Sequence, residues 1–378
     1  MTRRLPELIL QAAVILIAAA LAADVVANVV ANMARLRLHI GFGFLGQPAG
    51  FDIAQSLIPF PPSATYLRAF WVALLNTILI SVVAIAGATL LGLIVALARF
   101  SSNPLLSLLA RAYVEAGRNI PLLLQLFFWY FAVLGPLPLP RDSLRLWGAV
   151  FLNKRGLFLP APLPQPDWPI FGAIAVLGIA SAWELARKAH RRRMLTGQPA
   201  AALWLAAAAS LIIVGFFGWV LRPFQWDIPQ VGLFNVSGGI AVIPEFVAMA
   251  IGLIIYGSAF IAELIRAGIL TVSRGQTEAG LALGLSRMRI YATIVIPQVF
   301  RIIVLPLTGQ YITLMKNSSL AAAIGYPDLM MIFAGTVLNQ TGQPLETMAM
   351  TMISYLALSV TISLIGQTLD HRMRLAVA

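Results

Sequence analysis

The sequence contains no cysteine. Disulfides, thiolate nucleophiles and cysteine-ligated metals are therefore excluded. Histidine is almost as scarce. His39, His190 and His371 lie near expected helix ends or in loops, and none forms a ligand pair. Charge is scarce too: 11% of the 378 residues are Asp, Glu, Lys or Arg, against about a quarter in a soluble domain. So few charges cannot coat a water-facing surface. The isolated acids offer no paired carboxylates for general acid–base chemistry. A phosphate-cradling Gly-x-x-x-x-Gly-Lys-[Ser/Thr] loop is missing, as is any repeat of 20–50 residues.

What is present is apolar. Hydrophobic residues make up 60% of the chain, and the mean hydropathy is +0.88. Lipid must cover much of the protein. The net charge of +12 would suggest nucleic acid in a soluble protein; here the basic residues mark the cytoplasmic loops of a membrane protein. The start, Met1-Thr-Arg-Arg, precedes an apolar run over 8–26 that is read as a retained helix, because no small-residue cleavage site stands out.

A span needs about 20 mostly apolar residues. The candidates are 8–30, 69–97, 112–134, 170–186, 200–221, 242–270, 298–320 and 347–369. The expected fold is thus an all-α polytopic membrane protein of about eight transmembrane helices. With the N-terminus inside, the cytoplasmic segments collect Arg3, Arg4, Arg99, Arg111, the Arg187–Arg193 cluster, Arg274, Arg287, Arg289, Arg372 and Arg374. The outer side keeps Arg35, Arg37, Arg141, Arg145, Lys154 and Arg155. Segments 32–62 and 136–169 are too polar or proline-rich to span and are expected to be outer loops. The chain divides into an N-terminal helix and loop (1–65), a core part (66–134), an insertion with two helices (135–240) and a second core part (241–378).

Between the sixth and seventh spans lies the segment 275–297. Its first half is expected to form a short helix over 277–283, with Glu278 in the first turn, where an acid suits the helix dipole. Ala279, Gly280 and Ala282 are small, so another surface can approach the backbone closely. Gly284 is the expected C-cap. A second short helix carries Arg287, Arg289 and Tyr291, and Pro297 opens the next span.

This spacing resembles the "EAA" loop of ABC importer permeases: Glu278-Ala279-Gly280, then Gly284, then Ile294-Val-Ile296-Pro297. Flanking residues resemble the polar and general L-amino-acid branch. They include Ala262-Glu263-Leu-Ile-Arg266, Gly275-Gln276, Lys316-Asn-Ser-Ser-Leu320, Asn76-Thr77 and Arg118-Asn119-Ile-Pro121-Leu-Leu-Leu-Gln125. Gly280 in place of Ala, Ile296 in place of Leu and Asn119 in place of Gly are the departures. The resemblance covers about 66–134 and 240–374.

It implies a type I importer permease core with a two-helix insertion. It implies no cofactor on this chain, and ATP with Mg on a separate cytoplasmic ATPase dimer. A second, different permease subunit, a periplasmic binding protein and the inner membrane complete the implied assembly. Glu278, Ala279, Gly280, Gly284 and Pro297 would couple to the ATPase. Glu263, Arg118, Asn119, Ser258 and Lys316 are the candidates for the substrate path. Glu263 and Arg118 could read the two ends of an amino acid, or could be structural. Glu263 and Arg266, three residues apart, can pair on one helix face. Lys316 could line the cavity or snorkel to headgroups. The competing readings are a secondary transporter, which the lack of an inverted repeat opposes, and a membrane enzyme, which lacks a catalytic constellation.

Overall fold

A chain with this little charge must satisfy its backbone within helices wherever lipid touches it. The computed structural model describes residues 4–35, 41–197, 200–232 and 235–375; Arg3, Arg37 and His39 lie outside the described residues. The long helices are α1 (Arg4–Arg35), α2 (Tyr66–Arg99), α5 (Trp168–Thr196), α6 (Ala201–Leu221), α7 (Pro244–Thr271), α10 (Ile296–Asn317) and, after the single-turn α11 (Leu338–Thr341), α12 (Pro344–Leu375). Among the described residues six helices are long and apolar enough to cross a membrane, and α1 carries the shorter apolar stretch Leu10–Val25.

The expected third span, 112–134, is broken. Helix α3 (Pro104–Asn119) and α4 (Leu122–Phe127), which runs on as a π-helical stretch to Leu134, meet at 106°. The cause is Pro121. A residue before proline is driven from the helical region, and Ile120 sits at φ −86°, ψ 125°. The side chain of Gln125 repairs the break by donating to the freed carbonyls of Gly117 (3.1 Å) and Ile120 (2.9 Å). The Arg118–Gln125 motif is thus a built corner.

Contacts divide the chain into two units, residues 1–130 with 248–378, and residues 131–247. In the first, glycines let helices touch. A Cβ on Gly117 of α3 would lie 2.7 Å from Ala259 Cβ of α7, and one on Gly257 of α7 would lie 2.7 Å from Leu314 of α10. On α2, a Cβ at Gly92 would meet Ile261 at 2.8 Å and the Ser258 carbonyl at 3.1 Å. Gly92→Val is therefore expected to force α2 from α7 and cost about 1–3 kcal/mol. A lowered thermal midpoint of the detergent-solubilised protein checks this. At the far end of α2, residues 41–65 are an ordered loop. Phe44, Ala49 and Ile53 pack with Tyr66, Phe70 and Phe333.

The second unit differs from the expectation of a proline-rich outer loop and two helices. Helices α5 and α6 form a hairpin in which a Cβ on Gly178 would lie 2.2 Å from Val214. The flanking segments are strands: β1 (Leu144–Leu146), β2 (Val150–Asn153), β3 (Gly156–Leu159), β4 (Ala161–Pro164), β5 (Phe224–Asp227), β6 (Gln230–Val231), β7 (Val236–Ser237) and β8 (Ile240–Val242). They form one sheet of order β1-β2-β3-β8 and two antiparallel pairs, β4-β5 and β6-β7. The prolines sit where a ladder tolerates them: Pro162 and Pro164 lie on β4, in a sheet of only two strands.

Candidate functional site

The segment 275–297 folds into a helical elbow. Helix α8 (Arg274–Ala282) starts three residues earlier than expected, because the Ser273 hydroxyl accepts the Gly275 N–H (3.3 Å) and caps it. Glu278 therefore lies in the middle of α8 and not in its first turn, so the dipole argument for it does not apply. Its C-terminus is a Schellman turn. Leu285 N–H donates to the Gly280 carbonyl (3.1 Å) and Gly284 N–H to that of Leu281 (2.9 Å). Gly284 takes φ +74°, a backbone that favours glycine. A short helix α9 (Arg287–Ile290) follows, capped by Ser286, and a π-helical turn, Tyr291–Val295, leads into α10.

The small residues of α8 divide by face. Gly280 is buried, and a Cβ there would lie 2.8 Å from Ile290. The close approach at Gly280 is thus made by the chain's own α9. Ile290 is fully buried and packs with Val295, Val299 and Ile303, flanked by Ile265 and Ile269 of α7. Glu278, Ala279, Gly284 and Pro297 are exposed. The Glu278 carboxylate has no ion pair or hydrogen bond among the described residues. The elbow is a projection bolted by apolar contacts, with one face of α8 exposed.

Beside it stands an ion cluster. Glu263 on α7 accepts Arg266 Nε with both oxygens (3.2 Å each) and pairs with Arg99 Nη1, from the last turn of α2. Spacing foresaw Arg266; Arg99, more than 160 residues away, was not singled out. Arg118, the candidate named with Glu263 for reading the two ends of an amino acid, lies outside this cluster, over the Phe260 ring, 5.5 Å from its centroid. A cavity of about 180 Å³ joins Phe100, next to Arg99, with Arg274, Thr277 and Tyr291 of the elbow.

The other path candidates separate. Ser258 is buried and its hydroxyl lies 2.6 Å from that of Tyr113 on α3. Asn119 is exposed and donates to Glu115 at 3.3 Å. Lys316 is exposed in the last turn of α10 and lines a cavity of about 410 Å³ with Ser319, Met330, Met352, Tyr355 and Ser359. Sequence reasoning missed the network behind that cavity. Buried Asp328 accepts the Met331 N–H (2.8 Å) and the Tyr355 hydroxyl (3.0 Å). Asn76 Nδ2 bridges the carbonyls of Gln55 (2.8 Å) and Pro327 (2.9 Å), and Thr77 accepts the Leu329 N–H (2.9 Å). The Asn76-Thr77 motif clamps residues 326–329 to α2. Tyr355→Phe is expected to destabilise the protein by about 2 kcal/mol, since it removes a donor from a buried acid. Thermal unfolding in detergent reads that loss.

Long apolar helices, a broken span and an exposed elbow bolted to two of those helices define a multi-pass membrane subunit of permease type. The chain belongs to the binding-protein-dependent transport system inner membrane components, whose family model matches residues 88–375. It is 46% identical over 351 residues to the putative amino-acid ABC transporter permease protein YhdX of Escherichia coli, covering 92% of this chain and 88% of that one. It is 43% identical over 355 residues to the general L-amino acid transport system permease protein AapQ of Rhizobium johnstonii, covering 92% and 87%. With the glutamate/glutamine/aspartate/asparagine transport system permease protein BztB of Rhodobacter capsulatus it shares 35% over 372 residues, covering 89% and 86%.

Proposed function

We propose that this chain is the permease subunit of an inner-membrane importer for polar or general L-amino acids, driven by a separate ATPase that grips the elbow at 275–297. The observation that carries the reading is the elbow itself. An exposed acid and small residues stand on a helix whose other face packs on Ile290 of α9, which is in turn bolted to α7 and α10, so a push on α8 reaches two spans through α9. The names of the relatives support amino acids as cargo. In this reading both termini are cytoplasmic, and ATP and Mg stay on the ATPase dimer. A second, homologous permease chain and a periplasmic binding protein complete the machine. Residues 66–134 and 241–378 form the core, 1–65 the N-terminal helix and outer loop, and 135–240 the insertion. Alternating access follows from two stable packings of the spans.

The absence of cysteine makes a direct test simple. Ala279→Cys is expected to form a cross-link with single cysteines placed in the surface groove of the ATPase subunit, with an efficiency that changes when ATP is added. Cross-linking to the ATPase from Arg145→Cys on β1, with none from Ala279→Cys, would sink the reading.

A further inference from the structure

The two ends of the strands in residues 131–247 differ in what they join. The span through α4 ends at Leu134, and Pro138, four residues on, accepts the Lys154 N–H (2.9 Å) at the β2–β3 turn. At that same turn Gly156 presses on Val242 O and Ile243, immediately before α7 opens at Pro244. This end of the sheet is the one that joins the helices. The β4–β5 pair agrees: Pro164 faces Phe224, and Gln165 N–H donates to the Pro223 carbonyl (2.9 Å), where α5 begins and α6 has just ended. The opposite end carries the Leu146–Val150 and Leu159–Ile240 pairs. It lies about one four-residue strand, ~13 Å, along the sheet from the end that joins the helices.

At that distal end the β1–β2 turn carries Trp147. It is 93% exposed, and its backbone is left-handed, φ +49°. A bulky residue in that conformation is an outlier, and glycine or asparagine would suit the turn better. The indole therefore does nothing for its own hairpin. Leu146 beside it is exposed, and Arg145 is exposed with its guanidinium 5.7 Å from the Phe151 ring centroid, held ready on the strand. A protruding tryptophan on a stiff hairpin, flanked by leucine and arginine, has the composition of a protein-binding hot spot. Its place at the far end of the sheet sets it apart from Lys154 and Arg155, which form the turn at the helix-joining end.

We propose that the Trp147 hairpin is a docking anchor for the importer's soluble binding protein, taking an apolar notch for the indole and a carboxylate for Arg145 on that partner. The proposal rests on the importer reading, which puts this end of the insertion on the outer side, where a binding protein arrives. The family's dependence on such a protein supplies the partner.

The test uses the complete importer in nanodiscs with its own binding protein. Trp147→Gly and Trp147→Asn both keep the left-handed turn, so the hairpin survives while the indole is lost. Each is expected to weaken binding-protein affinity roughly tenfold or more, with basal ATPase unchanged and the melting midpoint not lowered. Arg145→Glu is expected to weaken it as well, and added salt to narrow the gap from wild type. Affinity of Trp147→Gly equal to wild type would overturn the proposal. So would quenching of the Trp147 emission by brominated lipids, which would make the hairpin a membrane anchor. If the wild-type importer itself neither binds nor responds to a binding protein, the importer reading fails first and this surface falls with it.

Discussion

Exchange of Glu278 for arginine is expected to reduce ATP-driven amino-acid uptake by about tenfold or more, because like charges brought together at an interface cost several kcal/mol. The chain should still fold. Glu278 is exposed, has no partner among the described residues, and lies on the face of α8 away from Ile290. Its replacement therefore leaves the apolar bolt to α7 and α10 intact. Three readings separate the possible outcomes: membrane level, thermal midpoint, and co-purification of the ATPase. The first two should match wild type and the third should fall. Gly284 is a poorer probe, since any side chain at φ +74° strains the Schellman turn whatever the partner does. Unchanged uptake and co-purification in Glu278→Arg would show that the ATPase grips another surface.

Glu263→Ala is the second large effect, and it acts on stability. Arg99 and Arg266 share that one carboxylate. Removing it leaves two guanidinium groups facing each other at a helix end that is only partly wet. The Arg99 side chain is 12% exposed, that of Glu263 24% and that of Arg266 32%. Breaking a fully buried pair costs more; with this exposure the expected loss is about 2–3 kcal/mol. The double variant Glu263→Ala/Arg99→Met should recover part of that loss, because it removes one of the two stranded charges. Thermal unfolding of both proteins gives the comparison. A single variant as stable as wild type would mean that water already screens the cluster. Because Phe100, next to Arg99, lines the same cavity as Thr277 and Tyr291, uptake by the single variant is also expected to fall.

Different parts of this molecule were legible in the sequence to different degrees, for physical reasons. Hydropathy found the long helices because lipid imposes a length and a composition on each one. Local chemistry marked the Gly284 cap, but Pro297 opens no separate span: α9 and the π-helical turn run into α10 without a break, with Ile296 itself helical. Start positions were less legible: Ser273 draws α8 back by three residues, and nothing in the Glu-Ala-Gly spacing signals that. The corner at Ile120–Pro121 was readable from the proline alone, yet the apolar run on both sides disguised it as one span. Glu263 illustrates the general limit. Its i,i+3 partner Arg266 follows from helix geometry, while Arg99 depends on how α2 packs on α7 through Gly92. The strands of the insertion did leave a signal. Burial alternates along Val150–Asn153 and Gly156–Leu159, but four-residue runs among prolines are too short to stand out from a loop.

The central claim is that this chain moves amino acids only when an ATPase works through its elbow. The direct measurement is uptake of a mixture of labelled L-amino acids by proteoliposomes holding the permease pair and the binding protein, with and without the ATPase subunit and ATP. The account predicts accumulation against a gradient only when both are present, and its loss with Glu278→Arg. Accumulation at the same rate without the ATPase would contradict it.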